Sequence, residues 1–225
     1  MNLYDLAAAD DSKRFSPFCW RIKLALAHKG LLYETVPWRY MDKEKLPSPN
    51  NGKVPVLQDG DVVVSDSWEI AQYLEKTYPS QPLFQSEESR SHALLIKFWF
   101  EKEIHPLVGA ILINDIYGFV AEKDKEYFRT SREKRFGSSF SSLIPKIDEN
   151  IVKLSEALDP LRSMLDSQRF VSGSSPGFAD YIVFSYFIWA QVSSNIQVVA
   201  KGDIIENYVT HMTKIPWIAP IIDRV

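Results

Sequence analysis

The chain has 225 residues, 45% of them apolar and 24% charged, enough to bury a sizeable core and too apolar for a disordered segment. Its formal charge of −3 offers no basic footprint for nucleic acid or anionic lipid. One cysteine, Cys19, and four histidines at 28, 92, 105 and 211 exclude an internal disulfide and leave no ligand spacing for a metal, so no metal is expected.

The opening Met1-Asn2-Leu3-Tyr4-Asp5-Leu6 lacks the basic, apolar and small-residue order of a secretory signal, and no apolar run reaches spanning length. The expected location is the cytoplasm. Leu3 to Leu6 predicts a short strand. Apolar residues at 18, 22, 25 and 26 then give the stripe of a buried helix over 17–29, which Gly30 ends. A second strand is expected over Leu32 to Val36. Val54 to Leu57 and Val62 to Val64 flank Gln58-Asp59-Gly60-Asp61, where Asp-Gly marks a hairpin turn. Asp66 is placed to cap a helix, with Glu69 at its third position and Pro79 beyond its end. Past a boundary between Pro79 and Ser89 the signals turn wholly helical: 88–104, 107–120, 124–136, 146–167, 178–193 and 203–213, broken by Pro106, Gly137, Pro145 and the loop from Gly173 to Gly177. The order predicts a small α/β unit over 1–80 and an all-α unit over 89–225.

Phe15-Ser16-Pro17-Phe18-Cys19-Trp20-Arg21 reads first as a plain helix start, with Ser16 as N-cap and Pro17 as first helical residue. The same geometry aims N–H groups and partial positive charge at whatever lies in front, which favours an anion. A thiolate held there needs its pKa lowered from about 8.5 to about 6.5, roughly 2.7 kcal/mol. One hydroxyl bond to the charged sulfur supplies about 1.5 to 3 kcal/mol and the helix end about 0.3 to 1 more. Ser16 therefore suffices without a general base.

Three stretches, Ser16-Pro17-Phe18-Cys19-Trp20-Arg21, Gly52-Lys53-Val54-Pro55-Val56-Leu57 and Asp66-Ser67-Trp68-Glu69-Ile70-Ala71-Gln72-Tyr73-Leu74, resemble in order and spacing the glutathione-binding segments of glutathione transferases. The resemblance implies a thioredoxin-like N-terminal domain and an all-α C-terminal helical domain. It implies glutathione as co-substrate, with Ser16 catalytic at its sulfur, the Val54 backbone pairing with its cysteinyl unit, Pro55 cis, and Asp66 and Ser67 holding its γ-glutamyl end. Glu69 and Gln72 are further candidates near that end. Across nearly the whole chain the sequence is also similar to bacterial β-etherases and fungal etherase-like transferases, through Tyr127-Phe128-Arg129-Thr130-Ser131-Arg132-Glu133, Phe178-Ala179-Asp180-Tyr181 and Phe187-Ile188-Trp189. In such enzymes the glutathione sulfur attacks the carbon α to an aryl ketone and expels a phenolate. Gly177 departs from the pattern, since transferases usually carry Ser, Thr or Asn as N-cap there; Gly is a weaker cap, which Asp180 can support from the third helical position.

Lys53 and Lys45 are candidates for the glycyl carboxylate of glutathione, against the plainer reading of solvated loop lysines. Phe15, Leu107 and Ile111 are expected on the wall of a second-substrate site beside Pro106, where hydrophobic aromatic or phenolic molecules bind. Phe98, Trp99, Phe100 and His105 read as structural. Cys19, one turn into its helix, reads as packed rather than nucleophilic. A non-catalytic carrier of phenolic ligands and a thiol reductase working through Cys19 stand as alternatives, and the family implies a homodimer.

Overall fold

The computed structural model describes residues 1–222. Strand β1 (Asn2–Leu6) lies second in a four-stranded sheet of order β2-β1-β3-β4. It runs parallel to β2 (Glu34–Trp38) and antiparallel to β3 (Val56–Asp59), which a hairpin joins to β4 (Val62–Ser65). The parallel pair needs a crossover. Helix α1 (Pro17–His28) supplies it, and α2 (Ser67–Thr77) follows β4. Gly60, at φ +58, takes the left-handed position of the predicted Asp-Gly turn.

The rest is helical: α3 (Glu87–Trp99), a π-type segment (Phe100–Ile104), α4 (His105–Phe119), α5 (Glu122–Phe136), α6 (Phe140–Leu143), α7 (Ile147–Ala157), α8 (Asp159–Ser167), α9 (Phe178–Ser193), α10 (Ile204–Thr213) and α11 (Ala219–Ile222). The architecture is the expected one, a thioredoxin-like α/β domain followed by an all-helical domain. Among the described residues no helix is long and apolar enough to cross a membrane.

The halves meet where α1 packs on α9. Helix α9 is buried along nearly its whole length, as a helix walled in on all sides must be. At this seam His28 Nδ1 lies 2.5 Å from the Tyr181 hydroxyl, which also accepts from Trp217 Nε1 at 3.3 Å. The departure at Gly177 has a steric cause. A Cβ there would lie 2.8 Å from Ser172 Oγ and 3.1 Å from the Leu83 carbonyl. Asp180 secures the helix start instead, accepting the N–H groups of Val171, Ser172 and Gly177 at 2.8 to 3.1 Å and the Tyr208 hydroxyl at 3.1 Å.

Three expectations are corrected. Strand β2 covers Glu34–Trp38 rather than Leu32 to Val36, with Leu32 92% exposed and Trp38 buried. Pro37 fits because β2 is an edge strand, where a missing N–H costs no ladder bond. Pro106 does not break its helix. The His105 N–H reaches back to the Phe100 carbonyl, and this wider turn lets the helix pass a residue that has no N–H to give. The expected helix over 146–167 divides at Leu158 into α7 and α8, because Pro160 forbids the continuous ladder.

Candidate functional site

Ser16 sits at the mouth of α1 with extended backbone (φ −94, ψ 120), and its Oγ accepts the Cys19 N–H at 3.3 Å. Pro17 follows as first helical residue. A hydroxyl that accepts a cap bond keeps its own proton to donate, so Ser16 can cap α1 and still give a hydrogen bond outward. Outward lies a cavity of ≈ 180 Å³ lined by residues of both domains, Ser16 and Phe15 among them.

A groove of ≈ 440 Å³ adjoins the cavity and shares Phe18, Lys53, Val54, His105 and Arg135 with it. Asn51, Pro55, Asp66, Ser67 and Glu101 complete much of its lining. Asn50 and Asn51 shape the approach, their side-chain oxygens accepting the N–H groups of Gly52 (2.8 Å) and Lys53 (3.1 Å), turns that Asn forms readily. The Val54-Pro55 peptide is cis, and the Pro55 carbonyl accepts the Asp66 N–H at 3.3 Å. Asp66, at φ 80, holds a backbone that non-glycine residues seldom adopt. Its Oδ1 caps α2 by accepting from Trp68 N (2.8 Å) and Glu69 N (3.4 Å). Ser67 Oγ accepts from the buried Arg21 Nη1 at 3.3 Å, and the same nitrogen pairs with Glu101 at 2.9 Å. The groove thus offers cis backbone, a helix N-terminus, two cations (Lys53 and Arg135) and two carboxylates (Asp66 and Glu101).

Ser16, Phe15, Lys53, Val54, Pro55, Asp66 and Ser67 therefore come together on the two hollows. Other expected members do not. Lys45 points away, 60% exposed and paired with Asp42 at 3.4 Å, and it lines neither hollow. Leu107 and Ile111 are also off the wall. Helix α4 presents His105, Gly109, Ile113 and Ile116 to the cavity, and positions two residues on from 105 and 109 lie on another face. Ile111 is buried in the core. Glu69 and Gln72 line neither hollow, and Phe98 stands exposed on α3.

Cys19 is fully buried, and burial and the charge of Asp5 push its thiol well above the ordinary range. It offers no thiolate at neutral pH. His105 lines the cavity: its ring stacks on Trp189 at 5.2 Å, and Arg135 Nη1 lies 3.5 Å from Nε2. Burial and nearby arginines drive its pKa down to about 3, so it is neutral near pH 7. Sequence reasoning missed Tyr40, Arg132 and Arg135. The two arginines share a stripe with Phe128 and Phe136 at i, i+4, i+7 and i+8 of α5, all four lining the cavity. That spacing is the stripe of one helix face, a periodic signal that the sequence carries.

The family model described as "Glutathione S-transferase, N-terminal domain" matches residues 15–77, and "Glutathione S-transferase, C-terminal domain" matches residues 92–207. The "Glutathione S-transferase-like protein ustS" of Aspergillus flavus is 28% identical over 210 residues, covering 80% of this chain and 75% of that protein. Among solved structures, glutathione transferase GSTFuA3 from Phanerochaete chrysosporium superposes with TM-score 0.81 at 24% identity, over 93% of this chain and 94% of that one. A glutathione S-transferase of Ceriporiopsis subvermispora in complex with glutathione gives 0.75 at 23% identity, over 85% of each. The two family models together take in the helix mouth at Ser16, the cis-proline segment, the α2 cap and the helices that enclose the cavity, and on that ground the chain belongs to the glutathione S-transferase family.

Proposed function

We propose that the chain is a serine-type glutathione transferase that ionises the glutathione sulfhydryl at Ser16 and adds the thiolate to an aromatic or phenolic electrophile, with aryl ether cleavage among its reactions. Glutathione would lie in the groove, its cysteinyl unit along the Val54 backbone, its γ-glutamyl end at Asp66 and Ser67, and its glycyl carboxylate at Lys53. The N-terminal unit (1–80) would bind glutathione and the helical unit (89–225) would shape the acceptor site, in a cytoplasmic homodimer. The similar Ceriporiopsis subvermispora structure, in complex with glutathione, supports the co-substrate.

The observation that carries the reading is the Ser16 hydroxyl, already fixed as a cap acceptor and facing a cavity that adjoins the groove. In Ser16→Ala the sulfur pKa should rise from about 6.5 by about one to two units, the loss of one hydrogen bond to a charged sulfur, so the ultraviolet thiolate absorbance of bound glutathione at neutral pH should fall about four- to forty-fold. An unchanged thiolate signal removes Ser16 from the mechanism.

The carrier reading draws on the aromatic lining, which includes Phe15, Trp38, Tyr40, Phe136 and Trp189. Tight phenolic binding without turnover of aryl ethers, isothiocyanates or chloronitrobenzene would favour it. Thiol reduction through Cys19 has no support in the geometry, since that sulfur is sealed from solvent.

A further inference from the structure

The cavity behind Ser16 is charged in a way its apolar character hides. Its lining residues include three cations, Lys53, Arg132 and Arg135, and no aspartate or glutamate, although the whole chain is acidic. Lys53 and Arg135 also line the glutathione groove, whereas Arg132 lines the aromatic cavity alone. The Arg132 guanidinium lies 4.3 Å from the centre of the Phe128 ring and 5.2 Å from that of Tyr40. Its Nη1 donates to Ser131 Oγ at 2.9 Å and its Nη2 to the Tyr40 hydroxyl at 3.0 Å.

Neither partner carries charge, and five N–H groups leave others to give. The nearby acids are engaged elsewhere. Glu133 accepts from Arg129 and from the Phe140 N–H, Asp124 from the Met41 N–H, and Asp42 pairs with Lys123 and Lys45. Two more polar groups of the lining lack a protein partner: Trp189 Nε1, on a residue 6% exposed, and His105 Nδ1. A half-buried guanidinium with no carboxylate, an indole N–H to spare and a wall of rings describe a receptor for a planar aromatic anion.

We propose that Arg132 is a specificity-determining residue and that the acceptor site selects aromatic molecules bearing an oxyanion, either a ring carboxylate or a phenolate. The ring packs among the aromatic side chains, the oxyanion meets the free N–H groups of Arg132, and Arg135 adds charge at the junction with the groove. The inference rests on the transferase reading above for what happens next to the bound molecule, and only for that.

The test titrates intrinsic tryptophan fluorescence with the groove saturated by S-methylglutathione. Naphthoate and the neutral acetonaphthone form one pair, and nitrophenol measured above and below its own pKa forms the second. Wild type should bind naphthoate, ionised nitrophenol or both about ten-fold or more tighter than the neutral counterpart. Preference for naphthoate identifies a carboxylate, and preference for ionised nitrophenol a phenolate. Arg132→Met should abolish the preference while affinities for acetonaphthone and S-methylglutathione stay unchanged. Equal binding of charged and neutral partners by wild type, or an Arg132→Met loss equal for both, overturns the proposal. Failure of wild type to bind S-methylglutathione overturns the transferase reading instead, and the charged-to-neutral ratio without it still decides this one.

Discussion

Ser16 Oγ accepts one helix N–H and keeps a proton for whatever stands before α1, while three positions later Cys19 is locked into the core. One turn of helix separates an oxygen at the cavity from a sulfur that never sees it. At the other end of α1, His28 shows the opposite use of burial. Desolvation, with help from Lys29 and against Glu75, lowers its pKa from 6.5 to about 4, while Tyr181 and Trp217 pack on its ring. The unfolded chain therefore binds a proton that the folded chain refuses, so this contribution is complete above pH 6.5 and is lost as pH falls toward about 4. Urea unfolding at about pH 7 and about pH 5 should show a wild-type loss on the order of 2 kcal/mol, reduced in His28→Gln, which keeps a polar side chain but cannot titrate. The same pH dependence in both proteins would clear His28 of this role.

At the scale of elements, the cavity is made by helix faces. Helix α4 reaches it only because the π-type segment carries the chain past Pro106 without a break, which brings His105, Gly109, Ile113 and Ile116 onto one wall. Gly109 stands opposite Trp189 and Phe136, where a Cβ would meet their rings at 3.5 and 3.7 Å, ordinary contact distances. Alanine should thus be accepted, gaining up to about 1 kcal/mol of helix propensity. Gly109→Leu should fill the space. Steady-state kinetics should then show kcat/KM for a bulky aromatic acceptor reduced about ten-fold or more, with the KM for glutathione unchanged. Equal damage to both substrates would mean that α4 itself had moved.

At the scale of the molecule, Leu95 and Phe98 stand three residues apart on α3 with 68% and 48% of their surfaces exposed, and Val62 on β4 is 45% exposed. Apolar residues at that spacing share a helix face, and the proposed homodimer gives them a partner surface. Sedimentation should find wild type as a dimer and Phe98→Glu as a monomer; a wild-type monomer would leave this face unexplained. Much of the architecture was legible in advance because its signals are local: Ser16-Pro17 as a helix start, the Gly60 turn, the Asp66 cap and the switch to long helical periods after Pro79 all depend on neighbours in the chain. The sequence by itself therefore determined the two-part fold and the oxygen at the mouth of α1, while the expectation for Val54, Pro55, Asp66 and Ser67 came from the resemblance to glutathione transferases. Only the tertiary structure decided that Pro106 sits inside a helix, that Leu107 and Ile111 face away from the cavity, and that Arg132 looks inward among aromatic rings. Those outcomes depend on which face of a helix meets another, a relation between segments distant in the chain that no local spacing encodes.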